Sequence, residues 1–164
     1  MPELKKYKMF INGDWVDSES KKTFTILNPE NNEPWATAPE ASVKDVDIAV
    51  KAAQKAFEGT WPSLFPRERA KYLKSIANQL RDNAELLGKI ETIDTGKLFK
   101  ETKNQAKYIA EYYDYYAGLA DKVEGTVLPI DKDNMQVITT RIPIGVVAAI
   151  IPWNSQMLLT AVKL

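Results

Sequence analysis

The sequence contains neither cysteine nor histidine among its 164 residues. Without cysteine, the chain can form no disulfide and offers no thiolate as a nucleophile or ligand. Without histidine, it lacks the commonest general base and the commonest metal ligand. Serine–histidine catalysis and the usual zinc sites are therefore excluded within this chain. Any chemistry must use carboxylates, lysines, tyrosines or amides, or must depend on residues elsewhere.

A surplus of charge is missing too, since Lys+Arg and Asp+Glu both number 22. This balance gives no support for binding to nucleic acid or to an anionic membrane. The longest apolar run, residues 142–153, is too short to span a bilayer and contains proline. The polar first residues do not resemble a secretory signal. We therefore expect no nucleic-acid partner, no membrane partner and a cytoplasmic location.

The first forty residues predict short β-structure. Residues 8–16 are typical of a hairpin, because Asn12-Gly13 is a favoured two-residue turn. Residues 23–27 predict a further strand, which Asn28-Pro29 ends. Residues 34–41 predict an irregular segment.

Residues 42–123 predict three long helices. The first begins at Ser42, with Asp45 in a capping-box position, and ends at Gly59. The second begins at Pro66 and is followed by a helical stretch that Asn83 could cap, ending near Gly96. The third runs from about residue 99 to 123. Each helix carries an apolar stripe, for which we expect core packing. The stripes are Val46, Ala49, Val50, Ala53 and Phe57; Ala70, Leu73, Ala77 and Leu80; and Ala106, Ile109, Ala110, Tyr113, Tyr116, Ala117 and Ala120.

The tyrosines of the third helix allow two interpretations. Their number could indicate a stacking platform for bases or sugars. The balanced charge instead favours tyrosines that pack in the core or at an interface.

The last forty residues predict extended segments in place of long helices. Residues 126–130 and 135–141 predict two extended segments around a polar turn. Residues 144–151 form an unbroken apolar run, which is typical of a parallel strand buried on both faces. No partner strand for it is evident, and residues 155–164 predict the start of a helix. Ligands of such sheets bind beyond the carboxyl ends of strands, where Asn154 lies. From the residues alone, Asn154 could equally be a simple capping residue.

Several segments together carry a resemblance that none carries alone. They are Phe10-Ile-Asn-Gly-Asp-Trp15, Ile26-Leu-Asn-Pro29, Asp94-Thr-Gly-Lys97, the helix containing Tyr112 to Tyr116 with Ala117-Gly118, then Gly125, Leu128-Pro129, Pro143-Ile-Gly-Val-Val147, and Ile151-Pro-Trp-Asn154 running to Lys163-Leu164. In this order, the chain resembles the amino-terminal third of the NAD(P)-dependent aldehyde dehydrogenases.

The resemblance implies an α/β fold: helices, the start of a Rossmann-like parallel sheet, and an oligomerisation β-arm. Residues 1–122 would belong to the cofactor-binding domain, with a hairpin, a strand and three helices. Residues 123–143 would form the arm strands. Residues 144–164 would supply the first strand and the helix start of an incomplete Rossmann-like sheet. The implied parent is a homo-oligomer, either a dimer or a tetramer.

The resemblance also implies a chemistry, in which NAD or NADP accepts a hydride as a small-molecule aldehyde becomes a carboxylate. Thiolate attack creates an oxyanion, which needs preorganised donors. By resemblance, Asn154 is such a donor, and Lys163 matches a lysine with a proton-relay role in some members. The positions that match the lining of the cofactor site are Ile150, Ile151, Pro152, Trp153 and Asn154.

A cation site is implied as well. Ile26, Leu27 and Asp94 match a site for K⁺ or Na⁺ that is built mainly from carbonyl oxygens and one carboxylate. Where the family often has an aromatic or small residue followed by proline, this chain has Ser155-Gln156. That departure concerns the lining of the substrate channel.

Two hypotheses follow. In the family, the nucleophilic cysteine and the glutamate base lie downstream of the Pro-Trp-Asn segment. We therefore expect the chain to be the amino-terminal portion of an aldehyde-oxidising enzyme, inactive alone. The alternative is a truncated, non-catalytic interaction module that pairs through its oligomerisation strands.

Overall fold

The structure, a computed structural model, describes residues 4–164. Two short 3-10 turns lie at Trp61–Ser63 and Trp153–Ser155. The strands are β1 (Lys5–Lys6), β2 (Met9–Ile11), β3 (Asp14–Val16), β4 (Thr23–Asn28), β5 (Glu33–Pro39), β6 (Val127–Leu128) and β7 (Val137–Ile138). The helices are α1 (Val43–Glu58), α2 (Pro66–Asp82), α3 (Ala84–Thr95), α4 (Phe99–Leu119) and α5 (Gln156–Ala161).

The amino-terminal β-structure consists of a hairpin and a three-stranded sheet. Strands β2 and β3 pair antiparallel around Asn12-Gly13, whose φ angles of 55° and 91° confirm the predicted turn. In the sheet, β5 lies between β4, which is antiparallel to it, and β1, which is parallel.

The prediction that residues 34–41 are irregular was wrong, because most of them form β5. Asn32, with a φ of 59°, turns the chain back so that β5 pairs with β4. Strand β5 contains two prolines: Pro34 lies beside the register shift at Ile26/Leu27, and Pro39 ends the strand. Proline is tolerated at such positions because no ladder hydrogen bond is lost there.

The helical core surrounds α4, which packs against α2, α3 and α5. Its buried centre joins three elements, α2, α4 and α5, so the predicted stripes of α2 and α4 are confirmed in the main. Tyr116 is the exception, because it is half-exposed and stacks on Tyr112 and Tyr115. The buried residues of this centre are Ala77, Ile109, Ala110, Tyr113 and Ala161, with Leu73, Leu80, Tyr112, Met157 and Leu158 against them.

The helix boundaries are close to those predicted. Ser42 and Asp45 form the expected capping box, and Gly96 ends α3 in the left-handed region with a φ of 75°. The third long helix ends at Leu119 rather than near residue 123. The side chain of Asn83 does not cap α3; its amide donates to the Gln79 carbonyl and closes α2 instead.

The apolar stripe of α1 departs from the expected core packing. Val46 is 55% exposed and Val50 is 49% exposed. The helix packs mainly against the 3-10 turn at Trp61–Ser63 and against β2. No other described element covers the stripe enough to bury it. The pattern therefore identified an apolar face correctly but not its burial.

The apolar run at residues 144–151 also departs from prediction. It forms no strand and joins no sheet among residues 4–164, and Ile144 is 94% exposed. A parallel strand is buried only when neighbouring strands and helices cover it. No strand among residues 4–164 pairs with the run, so its place as an inner strand of a parallel sheet stays a prediction.

The predicted pair of extended segments is present as an exposed antiparallel ribbon, β6 with β7. Only two residues of each strand pair, so the ribbon is shorter than expected. Within residues 4–164, no helix is long and apolar enough to cross a membrane.

Candidate functional site

Asn154 lies in the 3-10 turn at Trp153–Ser155, between the apolar run at residues 144–151 and α5. Its side chain is exposed, and among the described residues its amide forms no hydrogen bond. Ser155, not Asn154, occupies the cap position of α5, and neither side chain caps the helix. The capping interpretation of Asn154 therefore finds no support, and the amide is free to act on another group.

The helix that follows Asn154 is anchored in the core. Ala161 is buried between α2 and α4, and Met157 and Leu158 pack against the same cluster. This apolar docking sets the position of α5. Because the helix is only six residues long, the turn that carries Asn154 lies within two helical turns of the anchor.

Two tertiary hydrogen bonds hold the turn itself. The Lys97 ammonium donates to the Ser155 hydroxyl at 2.5 Å, and the Gln156 amide donates to the Asp94 carboxylate at 2.7 Å. Both partners lie at the end of α3, where the left-handed Gly96 reverses the chain. These two hydrogen bonds therefore join the end of α3 to the beginning of α5.

Glu91 lies beneath this junction and is only 5% exposed. Neither carboxylate oxygen has a hydrogen-bond partner, although Oε1 is 3.6 Å from the Lys97 ammonium. Burial raises the pKa of Glu91, and the nearby Lys97 charge opposes that rise. Lys97 therefore compensates a buried carboxylate on one side and binds Ser155 on the other.

The candidate cofactor residues lie on the approach to Asn154. Ile150, Pro152 and Trp153 are exposed, with Trp153 at 73%, and Ile151 is half-buried. They form an accessible, apolar surface beside an amide without a partner. The cofactor-binding role of these residues remains a prediction.

The candidate cation residues come from two neighbouring elements. Ile26 and Leu27 lie at the register shift of β4, and Asp94 lies near the end of α3. Strand β4 packs against α3, and Gly96 approaches Pro29 so closely that a Cβ would lie 3.2 Å from its ring. One Asp94 oxygen already accepts the Gln156 hydrogen bond. The K⁺ or Na⁺ site remains a prediction.

Lys163 lies in the turn after α5 and is exposed. Its ammonium is 3.3 Å from the Leu159 carbonyl oxygen of its own helix. This contact is local, so the predicted relay role rests on the resemblance alone.

The sequence model of the aldehyde dehydrogenase family matches residues 15–164. The chain belongs to the aldehyde dehydrogenase family. A dehydrogenase of Acinetobacter baylyi that acts on (Z)-2-((N-methylformamido)methylene)-5-hydroxybutyrolactone is 46% identical over 98% of this chain and 33% of its own length. The chain thus spans about a third of the length of the curated relatives it matches.

Solved structures of the family agree with this fold. An NAD-dependent aldehyde dehydrogenase from Sinorhizobium meliloti superposes with a TM-score of 0.91 at 32% identity, over 97% of this chain and 32% of that one. A betaine aldehyde dehydrogenase variant from Staphylococcus aureus, in complex with NAD⁺, gives 0.89 at 34% identity over 95% and 32%. The expected aldehyde dehydrogenase-like α/β fold is confirmed.

Sequence reasoning missed the junction formed by Glu91, Lys97, Ser155 and Gln156. Lys97 belongs to a quoted motif, and Ser155-Gln156 had been read only as a change in a channel lining. The available signal was two polar residues at the start of an otherwise apolar helix. Their partners lie 58 and 62 residues away, a separation that no local pattern indicates.

Proposed function

We propose that these 164 residues form the amino-terminal part of an aldehyde dehydrogenase that oxidises an aldehyde to a carboxylate with NAD or NADP, and that Asn154 is an oxyanion donor. The observation that carries this proposal is the Asn154 amide, which is exposed, has no partner among the described residues and follows the apolar run at residues 144–151. The family membership of residues 15–164 supports it.

The neutral amide suits this task. A carbonyl attacked by a nucleophile gains negative charge on oxygen, and a preorganised N–H donor stabilises that charge. An asparagine donates without bringing a charge of its own, so it leaves the ionisation of a neighbouring nucleophile unchanged. Pro152 and Trp153 would hold the cofactor beside the amide, and the nicotinamide, when bound, accepts the hydride.

Replacing Asn154 tests this role in the full-length protein. We expect Asn154→Ala to lower kcat by about 10²- to 10³-fold, the usual loss for one oxyanion donor. Asn104→Ala, at an exposed asparagine of α4, is the matched control and should leave kcat unchanged. Wild-type kcat in Asn154→Ala would exclude the donor role.

The 164-residue chain by itself should produce no NADH from aldehydes, because it contains no cysteine to act as the nucleophile. Any aldehyde-dependent NADH formation by the pure chain would refute this expectation.

A second proposal concerns the β6–β7 ribbon, which we infer to join a second copy of the protein. It is a short ribbon with exposed apolar side chains, including Val127 and Ile138, and such edges pair readily with another chain. This feature also supports the alternative that the chain is an interaction module.

Light scattering after size-exclusion chromatography tests the ribbon. Ile138→Lys should lower the oligomeric state of the full-length protein, because it introduces a charge at the proposed contact. The matched change Asp133→Lys, in the polar turn between the strands, should not. An unchanged mass for Ile138→Lys would count against a role of the ribbon in assembly.

A further inference from the structure

We propose that Lys97 and Asp94 are positioning residues, which direct the Asn154 amide by holding Ser155 and Gln156. The proposal rests on the function proposed above, since it explains how the donor is aimed. It assigns a role to the end of α3, which is remote in sequence and does not itself reach the reacting atoms.

The need for such positioning follows from what surrounds Asn154. The residues before it, 142–152, form no strand in the described chain. Its own amide is not fixed by a hydrogen bond among residues 4–164. Among the described residues, the side-chain hydrogen bonds that hold this turn therefore come from the residues that follow Asn154.

Ser155 and Gln156 are each held by one hydrogen bond, in which Ser155 is the acceptor and Gln156 is the donor. Ser155 receives a charge-assisted hydrogen bond from Lys97 at 2.5 Å, and Gln156 donates to the Asp94 carboxylate at 2.7 Å. Charge-assisted hydrogen bonds are shorter and stronger than neutral ones. Among residues 4–164, these are the only side-chain hydrogen bonds that join the turn or the first residue of α5 to another element.

The supporting end of α3 is itself rigid. The Gly96 N–H donates to the Thr92 carbonyl at 2.9 Å, and the Thr95 hydroxyl donates to the Glu91 carbonyl at 2.6 Å. The Lys97 ammonium lies 3.6 Å from the buried Glu91 carboxylate and donates to the Ser155 hydroxyl. Lys97 thus contacts the end of α3 and the turn at the same time, as a positioning residue must.

Apolar docking of α5 does not replace these bonds. Ala161, Met157 and Leu158 fix the helix along its length, but they contact the core beyond Gln156. Rotation of the turn around the start of α5 would move Asn154 while leaving that packing intact. Misplacing a catalytic group by about 1 Å costs on the order of 10²-fold in rate.

The test uses Ser155→Ala and Gln156→Leu in the full-length protein, because both leave the Lys97–Glu91 pair in place. We expect each to lower kcat about tenfold, with KM within about twofold of wild type. Hydrogen exchange of the peptide covering residues 150–158 should become faster in both. Lys107→Met, at an exposed lysine of α4, is the control and should change neither quantity.

The same two substitutions are then made in the Asn154→Ala background, where a double-mutant cycle isolates the coupling. If they act through Asn154, they cause no further loss of kcat there. Equal losses in both backgrounds, with a lowered Tm, would identify a folding role and overturn the proposal.

Two further outcomes separate this inference from the function on which it rests. Wild-type kcat in Ser155→Ala and Gln156→Leu, with Asn154→Ala still impaired, overturns the positioning role alone. Wild-type kcat in Asn154→Ala overturns the donor role and the positioning role with it. Lys97→Arg, which retains a donor and a charge, should keep kcat near wild type, whereas Lys97→Met should lower it.

Discussion

Asp45 shows how much one side chain can organise. Its carboxylate accepts hydrogen bonds from the Ser42 N–H at 2.7 Å, the Glu19 N–H at 3.0 Å and the Ser18 hydroxyl at 2.8 Å. It therefore caps α1 and ties that helix to the loop after β3. The backbone N–H groups of Ser42 and Glu19, followed by the serine hydroxyls, hold the pKa of Asp45 well below its usual range.

That pKa predicts the pH dependence of stability. Because the pKa is lower in the folded state, the ionised form stabilises the protein above the ordinary carboxyl pKa of about 3.9, and this contribution is lost as the pH falls below it. Asp45→Asn should lower Tm near neutral pH, with the difference from wild type shrinking below about pH 4. Thermal unfolding of both proteins between pH 3 and 8 measures this difference in Tm.

The matched control is Asp47→Asn, on the same helix, where the exposed carboxylate pairs with Lys51 one turn away. Exposed pairs of this kind contribute little. A loss of Tm in Asp45→Asn that does not vary with pH would contradict the assigned cause.

Among the elements, α3 and α4 approach each other closely at Gly88. A Cβ at this position would lie 2.8 Å from both the Cα and the N of Lys103. The residue before Lys103 in α4, Thr102, is buried, and its hydroxyl donates to the Gly88 carbonyl at 2.9 Å and lies 2.9 Å from the Thr92 hydroxyl. The contact depends on backbone proximity, and backbone cannot move aside as a flexible side chain can.

Gly88→Ala should therefore destabilise the protein by about 1–3 kcal/mol, the usual range for overpacking. The higher helix propensity of alanine offsets part of this loss. Gly118→Ala in α4 is the matched control, because nothing lies within 4 Å of its added Cβ. It should be neutral or stabilising by up to about 1 kcal/mol. Denaturant unfolding measures the free energy of unfolding of both variants. A Gly88→Ala protein more stable than wild type would be incompatible with the close contact.

The elements also show what sequence could and could not predict. The Asn12-Gly13 turn, the Ser42 capping box and the Gly96 helix end each depend on residues within one turn, and all were predicted. The Lys97–Ser155 bond depends on how α3 and α5 lie against α4, which local patterns do not contain. Strand β5 was not predicted, because it forms by pairing with β4, and that pairing is a tertiary property.

In the molecule as a whole, two apolar surfaces are exposed for the same reason. The α1 stripe and residues 144–151 are both apolar and both exposed in the described chain. An apolar pattern indicates which surface is stabilised by burial. It does not indicate whether the element that covers this surface belongs to the same segment of chain. Exposed patches of this kind mark sites where another element or chain packs.

Hydrogen exchange tests whether further sequence supplies that cover. In the full-length protein, residues 144–151 should pair as an inner strand, and their amides should exchange at least about a hundredfold more slowly than in the 164-residue chain. That factor corresponds to an opening free energy of about 2.7 kcal/mol. Residues 106–113 of α4 are the internal control, since they are bonded within the helix and should be protected in both samples. Equally fast exchange of residues 144–151 in both, with α4 protected, would mean that the run stays uncovered and that no parallel sheet begins there.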